Sequence, residues 1–157
     1  MKFILYSMGK TDSGYLQQGI DDYTGRLRHF IDFSCIDLPN LKNLKNANPR
    51  IQCKREGEVL LRAVARSDLI VLLDERGKEL SSMELADWLR SIMNLSYRSV
   101  AFLIGGAHGF SPEVYQRASY TLSLSRMTFT HQLARLFFLE QLYRAMTLVK
   151  RIPYHNE

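Results

Sequence analysis

Gly105, Gly106 and Gly109 place three of the chain's nine glycines within five residues, directly after the apolar run Val100 to Ile104. Glycine tolerates positive φ and lets backbone approach a ligand closely, so such a loop is either a tight turn or one wall of a ligand pocket. A second irregular stretch, Leu124 to Thr130 (LSRMTFT), also leaves an apolar strand and also leads into a helix. Two such loops can wall a single pocket. The spacing is not that of the familiar phosphate loops. Gly9-Lys10-Thr11 lacks the earlier glycine a P-loop needs, since position 4 is Ile4, and neither GxGxxG nor GxSxG occurs.

Further along, ten of the fourteen residues from Leu136 to Val149 are apolar, which predicts a helix buried nearly all round. Glu140 and Arg144 nevertheless share one face of it at i,i+4. That pair is either an exposed helix-stabilising pair or, given its apolar surroundings, part of an interface or active site. Taken singly, His131 reads as a surface histidine beside a helix cap, and Arg135 as a solvated charge. The terminal Lys150-Arg151-Ile152-Pro153-Tyr154-His155 offers cations, a stacking ring and an imidazole that titrates near neutrality. That set suits an RNA base and a proton, although a frayed tail is the default for a chain end.

The elements that must position these residues follow from hydrophobic period. Phe3 to Met8 reads as a buried strand, Tyr15 to Phe30 as a helix and Phe33 to Leu38 as an alternating strand. After a loop rich in Asn and Lys, Pro49 opens a helix to Ser67, entered through basic residues. Asp68 to Asp74 (DLIVLLD) has the uninterrupted apolar character of a strand covered on both faces, and is expected to be central. Ser81 and Glu84 have capping-box spacing ahead of a helix to about Asn94. Val100 to Ile104 is another buried strand, Ser111-Pro112 opens a short helix, Tyr120 to Ser125 is a fifth strand, and His131 to Arg151 is the longest helix. The βαβαβαβαβα order predicts one α/β domain over residues 1–157, in three layers.

The 157 residues, 46% of them apolar, suffice for one core and leave little for a second. A net charge of +5 favours an anionic partner. Cys35 and Cys53, with no CxxC and no Cys/His pair at ligand spacing, support neither a disulfide framework nor structural zinc and fit a reducing cytoplasm. The apolar start is too short for a signal sequence or a membrane span.

Four segments in order, LLD at 72–74, LIGGAHGFSPEV at 103–114, SLSRMTFTHQLARLFFLEQLYRA at 123–145 and PYH at 153–155, closely resemble the RlmH family, the 23S rRNA (pseudouridine-N3)-methyltransferases of the SPOUT class. The resemblance runs the length of the chain and is densest in its last third. It implies a three-layer sandwich with a parallel sheet, a deep C-terminal trefoil knot and a homodimer. It also implies S-adenosyl-L-methionine as methyl donor, without metal, contacted by Leu73, Gly105, Leu124, Ser125, Arg126, Met127, Thr128 and Phe129. The implied substrate is N3 of a pseudouridine in helix 69 of 23S rRNA within the ribosome, with no role for DNA or membrane. Glu140, Arg144, Tyr154 and His155 match the family's pattern. The roles inferred for them are stabilisation of the N3 anion by Arg144, orientation of Arg144 by Glu140, stacking by Tyr154, and base or base-positioning action by His155 from the other subunit.

The chain departs from the family at Ala107-His108, where many members have Pro-Glu, and at Thr130, where some have Pro. No role for a loop carboxylate is carried over. Two alternatives share the same basic surface: a non-enzymatic ribosome-binding or assembly factor, and a SPOUT enzyme with another RNA target. Cofactor binding separates the first from an enzyme.

Overall fold

The computed structural model describes residues 1–41 and 48–154. Ten elements alternate in the order strand, helix: β1 (Lys2–Met8), α1 (Gly14–Leu27), β2 (Asp32–Leu38), α2 (Pro49–Ala63), β3 (Leu69–Glu79), α3 (Ser82–Met93), β4 (Ser99–Ile104), α4 (Pro112–Arg117), β5 (Tyr120–Ser123) and α5 (His131–Lys150). The five strands form one sheet in the order β2-β1-β4-β3-β5, with every neighbouring pair parallel. Parallel neighbours require crossovers, and the alternation of strand and helix supplies them.

Alternate residues of each strand face opposite sides, and both sides are covered. Phe3, Leu5, Val71, Leu73, Val100, Phe102 and Ile104 pack under α1, α3 and α5, which contribute Ile20, Leu27, Leu89, Ile92, Phe138 and Leu142. Ile4, Tyr6, Ile70, Leu72, Ala101 and Leu103 pack under Leu60 and Val64 of the α2 region and Val114 of α4. The expected three layers are therefore present. Ser81 caps α3 through the full capping box with Glu84.

Two expectations change. The middle strand is β4; β3 is interior but lies one place toward the β5 edge. β3 also runs on past Asp74 to Glu79, and its pairing with β5 shifts between Leu73 and Lys78. The charged extension carries no apolar period, so pattern alone ends the strand early. Gly77 makes the extension possible, because a Cβ there would lie 2.5 Å from the Leu122 carbonyl carbon.

Arg135 is the larger correction: it is not a solvated charge but 2% exposed. From the second turn of α5 its guanidinium donates to the Met8 carbonyl at 2.6 Å, to Thr11 Oγ1 at 3.0 Å and to Asp37 Oδ1 at 3.3 Å. Burial lowers its pKa, and Asp37 pulls it back up. One side chain thus joins the carboxyl ends of β1 and β2 to the start of α5. Arg135→Met is expected to lower stability by about 3 kcal/mol, a fall in Tm of order 10 °C, because the Met8 carbonyl and Asp37 lose their donor. Thermal unfolding followed by circular dichroism measures it; an unchanged Tm would show that the network is not stabilising.

Candidate active site

A cleft of about 420 Å³ opens at the carboxyl ends of β3 and β4, the end of a parallel sheet where ligands bind. The Gly105–Gly109 loop forms one wall and the loop after β5 forms another, with Leu73 to Arg76 and His131 completing it. The two loops singled out in the sequence are thus brought to one cavity. Of the residues implied for the cofactor, Leu73, Gly105, Leu124, Ser125, Met127, Thr128 and Phe129 line it. Arg126 does not: its side chain is 89% exposed and pairs with Glu79 at 3.3 Å.

The local shape has identifiable causes. Gly109 takes φ +75° and its N–H closes back on the Gly106 carbonyl at 3.2 Å. In the other wall, Ser123 Oγ donates to the Ser125 carbonyl and Met127 N–H donates to Ser125 Oγ, both at 3.0 Å, and Phe129 stacks on Phe137 at 5.0 Å. Of the double glycine, Gly105 is required by the protein's own backbone, whereas Gly106 faces the end of the Glu56 side chain. A Cβ on Gly105 would lie 2.8 Å from the Gly109 carbonyl oxygen, and one on Gly106 would lie 2.3 Å from Glu56 Oε2. Glu56 of α2 is 8% exposed, accepts from Gln52 Nε2 through Oε1 at 2.8 Å, and leaves Oε2 without a partner.

Asp74 is the site residue that sequence reasoning passed over. Its carboxylate is fixed by Tyr115 Oη, which donates to Oδ2 at 2.6 Å, and by the Arg76 N–H on Oδ1 at 2.8 Å. Burial, then the bond to Asp74, raises the Tyr115 pKa and keeps it a donor. Among the described residues Asp74 joins no ion pair. The available signal was its place, an acidic residue at the carboxyl end of a buried parallel strand.

Glu140, Arg144 and Tyr154 gather elsewhere. Arg144 Nε donates to Glu140 Oε1 at 3.1 Å, and the two side chains are 27% and 20% exposed. Arg144 lies 5.1 Å from the Tyr154 ring, and the Tyr154 hydroxyl is 3.5 Å from Glu140 Oε1 and 3.4 Å from Tyr23 Oη. The bond to Tyr23, with burial, pushes the Tyr154 phenol up to about 12. None of the three lines the cleft. Glu140 and Arg144 follow His131 on α5 by nine and thirteen residues, or about 14–20 Å along the helix axis. His155 lies outside the described residues.

With the geometry set out, comparison with known proteins decides the family. Residues 1–155 match the family described as "Predicted SPOUT methyltransferase". The chain belongs to the SPOUT methyltransferase family. It is 46% identical to "Ribosomal RNA large subunit methyltransferase H" of Parabacteroides distasonis over 100% of both chains. It is 47% identical to the protein of that name from Christiangramia forsetii over 99% of both. In fold, this SPOUT protein resembles "The structure of a probable methylase family protein from Haemophilus influenzae Rd KW20", with a TM-score of 0.55 at 11% identity. That match covers 95% of this chain and 66% of the other. Among the described residues no His, Cys, Asp and Glu side chains gather as a metal site, and no helix is long and apolar enough to cross a membrane.

His131 carries a test of the cleft's interior. Burial, reinforced by Arg135, lowers its pKa from 6.5. The neutral form is thus favoured in the fold, and its contribution to stability is present above the unfolded-state pKa and lost as pH falls through that value and below it. An NMR titration of the imidazole should give a midpoint below 6.5. A midpoint at or above that value would place His131 in solvent.

Proposed function

We propose that this chain is a cytoplasmic, homodimeric methyltransferase that uses S-adenosyl-L-methionine, without metal, to methylate N3 of a pseudouridine in helix 69 of 23S rRNA. The observation that carries the enzymatic reading is the joining of the glycine loop and the Leu124–Thr130 loop around one cleft at the carboxyl ends of β3 and β4. The full-length relatives named ribosomal RNA large subunit methyltransferase H support rRNA as substrate, and the family resemblance supports the nucleotide. The same reading takes residues 1–157 as one domain with a C-terminal trefoil knot. It is supported by β5 leaving at the sheet edge while α5 returns to pack on α1 and α3.

The cleft suits the cofactor. Its size falls in the range of small-molecule sites, it combines apolar Leu73, Ile104, Leu124 and Phe129 with loop backbone, and among the described residues no cation pairs with its anchored Asp74 carboxylate. Leu73, Gly105 and residues 124–129 would hold the adenosine portion, Arg126 from the rim. When bound, S-adenosylmethionine supplies an electrophilic methyl group.

The protein's task is then to align the acceptor and favour the N3 anion over the neutral imide. Arg144 is the donor for that anion. Glu140 fixes its guanidinium, and Tyr154 offers a ring face beside it. His155 is the candidate to take the N3 proton or position the base. The separation of this cluster from the cleft along α5 argues that each active site takes its cleft from one subunit and Glu140, Arg144 and Tyr154 together from the other. Because Tyr154 packs on Arg144 of its own chain, these two side chains act as one unit.

Calorimetry should show binding of S-adenosylmethionine unchanged by EDTA; no binding would leave the assembly-factor reading. Ribosomal RNA from a deletion strain should lack 3-methylpseudouridine by mass spectrometry, and a retained signal would reject the target.

Composition of the site across subunits is tested by pairing two inactive variants, Ser125→Trp, which fills the cleft, and Arg144→Ala, which disarms the cluster. Random mixing gives half heterodimers with one competent site in two, so about a quarter of wild-type turnover should return. Mixed dimers that stay inactive would place cleft and cluster in the same chain.

A further inference from the structure

Charge is not spread evenly along this chain. Residues 42–66 hold seven of the basic side chains (Lys42, Lys45, Arg50, Lys54, Arg55, Arg62 and Arg66) against two acidic ones, Glu56 and Glu58. Their excess of five equals that of the whole protein, and the other residues balance at fourteen of each sign. The part of this segment with described structure is α2 and the turn after it. There Arg50, Lys54, Arg55, Arg62 and Arg66 are all exposed, whereas Glu56 is buried.

The fold turns these cations outward. At 3.6 residues per turn, Lys54, Arg55 and Arg62 occupy the half of α2 opposite Glu56, Gly57 and Leu60, which are buried, and Arg50 stands at the edge of that half in the first turn. From Arg50 to Arg62 the row extends about 18 Å, long enough to follow several nucleotides of a backbone. Among the described residues none of the five cations joins an ion pair. Glu58 stands within the row, and Glu113 lies close enough to feel Lys54. Neither cancels the excess. A protein with no anionic partner has no use for an exposed row with so large a cationic excess, which costs self-repulsion.

The row also borders the cleft. Cys53, on the inner side of the same helical turn as Lys54, has its Sγ 3.9 Å from the His108 carbonyl oxygen and 3.8 Å from that of Gly109. Glu56 presses against Gly106. The helix that carries the cations on its outside therefore braces the glycine loop with its inside.

We propose that the exposed face of α2, from Arg50 to Arg66, is the surface on which the sugar-phosphate backbone of the RNA substrate docks, beside the cleft. The inference rests on the RNA-methyltransferase reading above and adds the place of contact. Phosphate contacts fix register without reading sequence, so this face would set where the RNA lies while the cleft and the Arg144 cluster select the nucleotide. A row on a helix that touches the glycine loop makes that register rigid with respect to the cofactor wall.

The test measures affinity for purified large ribosomal subunits as a function of salt. Wild-type protein should show a steep linear fall of log affinity with log salt, because each neutralised phosphate releases counterions. Arg50→Gln/Lys54→Gln/Arg55→Gln should reduce the slope by about 2 to 3, or about 0.7–0.9 for each phosphate no longer neutralised. Its S-adenosylmethionine affinity and thermal unfolding should match wild type, and the single variant Lys54→Gln should show about one such step. A control with three exposed cations removed elsewhere, Lys2→Gln/Arg90→Gln/Arg98→Gln, should keep the wild-type slope. Equal slopes in the α2 triple variant and wild type, or equal reductions in the two triple variants, would overturn the inference. A flat salt response in wild type would instead fail the RNA-methyltransferase reading itself.

Discussion

The buried guanidinium of Arg135 is the constraint on which the working end of this fold depends. A cation with 2% exposure needs partners, and here its two terminal nitrogens find them in the Met8 carbonyl, Thr11 and Asp37, while Nε is buried without one. Those partners belong to the carboxyl ends of β1 and β2 and to the loop between β1 and α1. Arg135 itself belongs to the opening turns of α5. The same turns place His131 in the cleft and anchor the end of the Leu124–Thr130 loop, whose Thr130 caps the helix by accepting from Leu133 N–H. Core packing holds the middle of the sheet. A polar clamp sets where the last helix begins, and hence where one wall of the cleft stands.

The cleft divides its tasks between backbone and side chains. Gly105 is demanded by a close contact inside the protein, with the Gly109 carbonyl, so this part of the loop is shaped by the protein's own backbone. What the cleft presents is the backbone of two loops, apolar side chains, and Asp74 held by Tyr115. α2 contributes twice, bracing the glycine loop with its buried side and presenting cations on its exposed one.

Glu140, Arg144 and Tyr154 form a second, compact cluster of rings and charges, joined by Tyr23 and Tyr143. Its members constrain each other: Glu140 orients Arg144 and raises its pKa, and the Tyr154 ring packs edge-on against Tyr143 at 4.8 Å. The cluster is organised within one chain, yet α5 holds it well away from that chain's own cleft. A straight helix cannot bring its first and fourth turns to one reacting atom, and it is this separation that the two-subunit site proposed above would answer.

The sequence by itself determined the ten elements, their order and the two loops that meet at the cleft. Those features follow from local period, from caps such as Ser81 with Glu84, and from glycine placement, all of which act over a few residues. It also carried the identity of the Glu140–Arg144 pair and the segments that resemble the RlmH family. Only the tertiary structure decided the rest. The exchange of β3 for β4 as the middle strand, and the extension of β3 past Asp74, come from pairing between residues distant in sequence. The burial of Arg135 depends on Met8, Thr11 and Asp37, about a hundred or more positions away, so no window along the chain distinguishes it from a solvated arginine. Asp74 gains its meaning from Tyr115 for the same reason. Spacing placed Glu140 and Arg144 on one face, but which cavity they serve is a matter of distance in space, which the backbone of α5 sets.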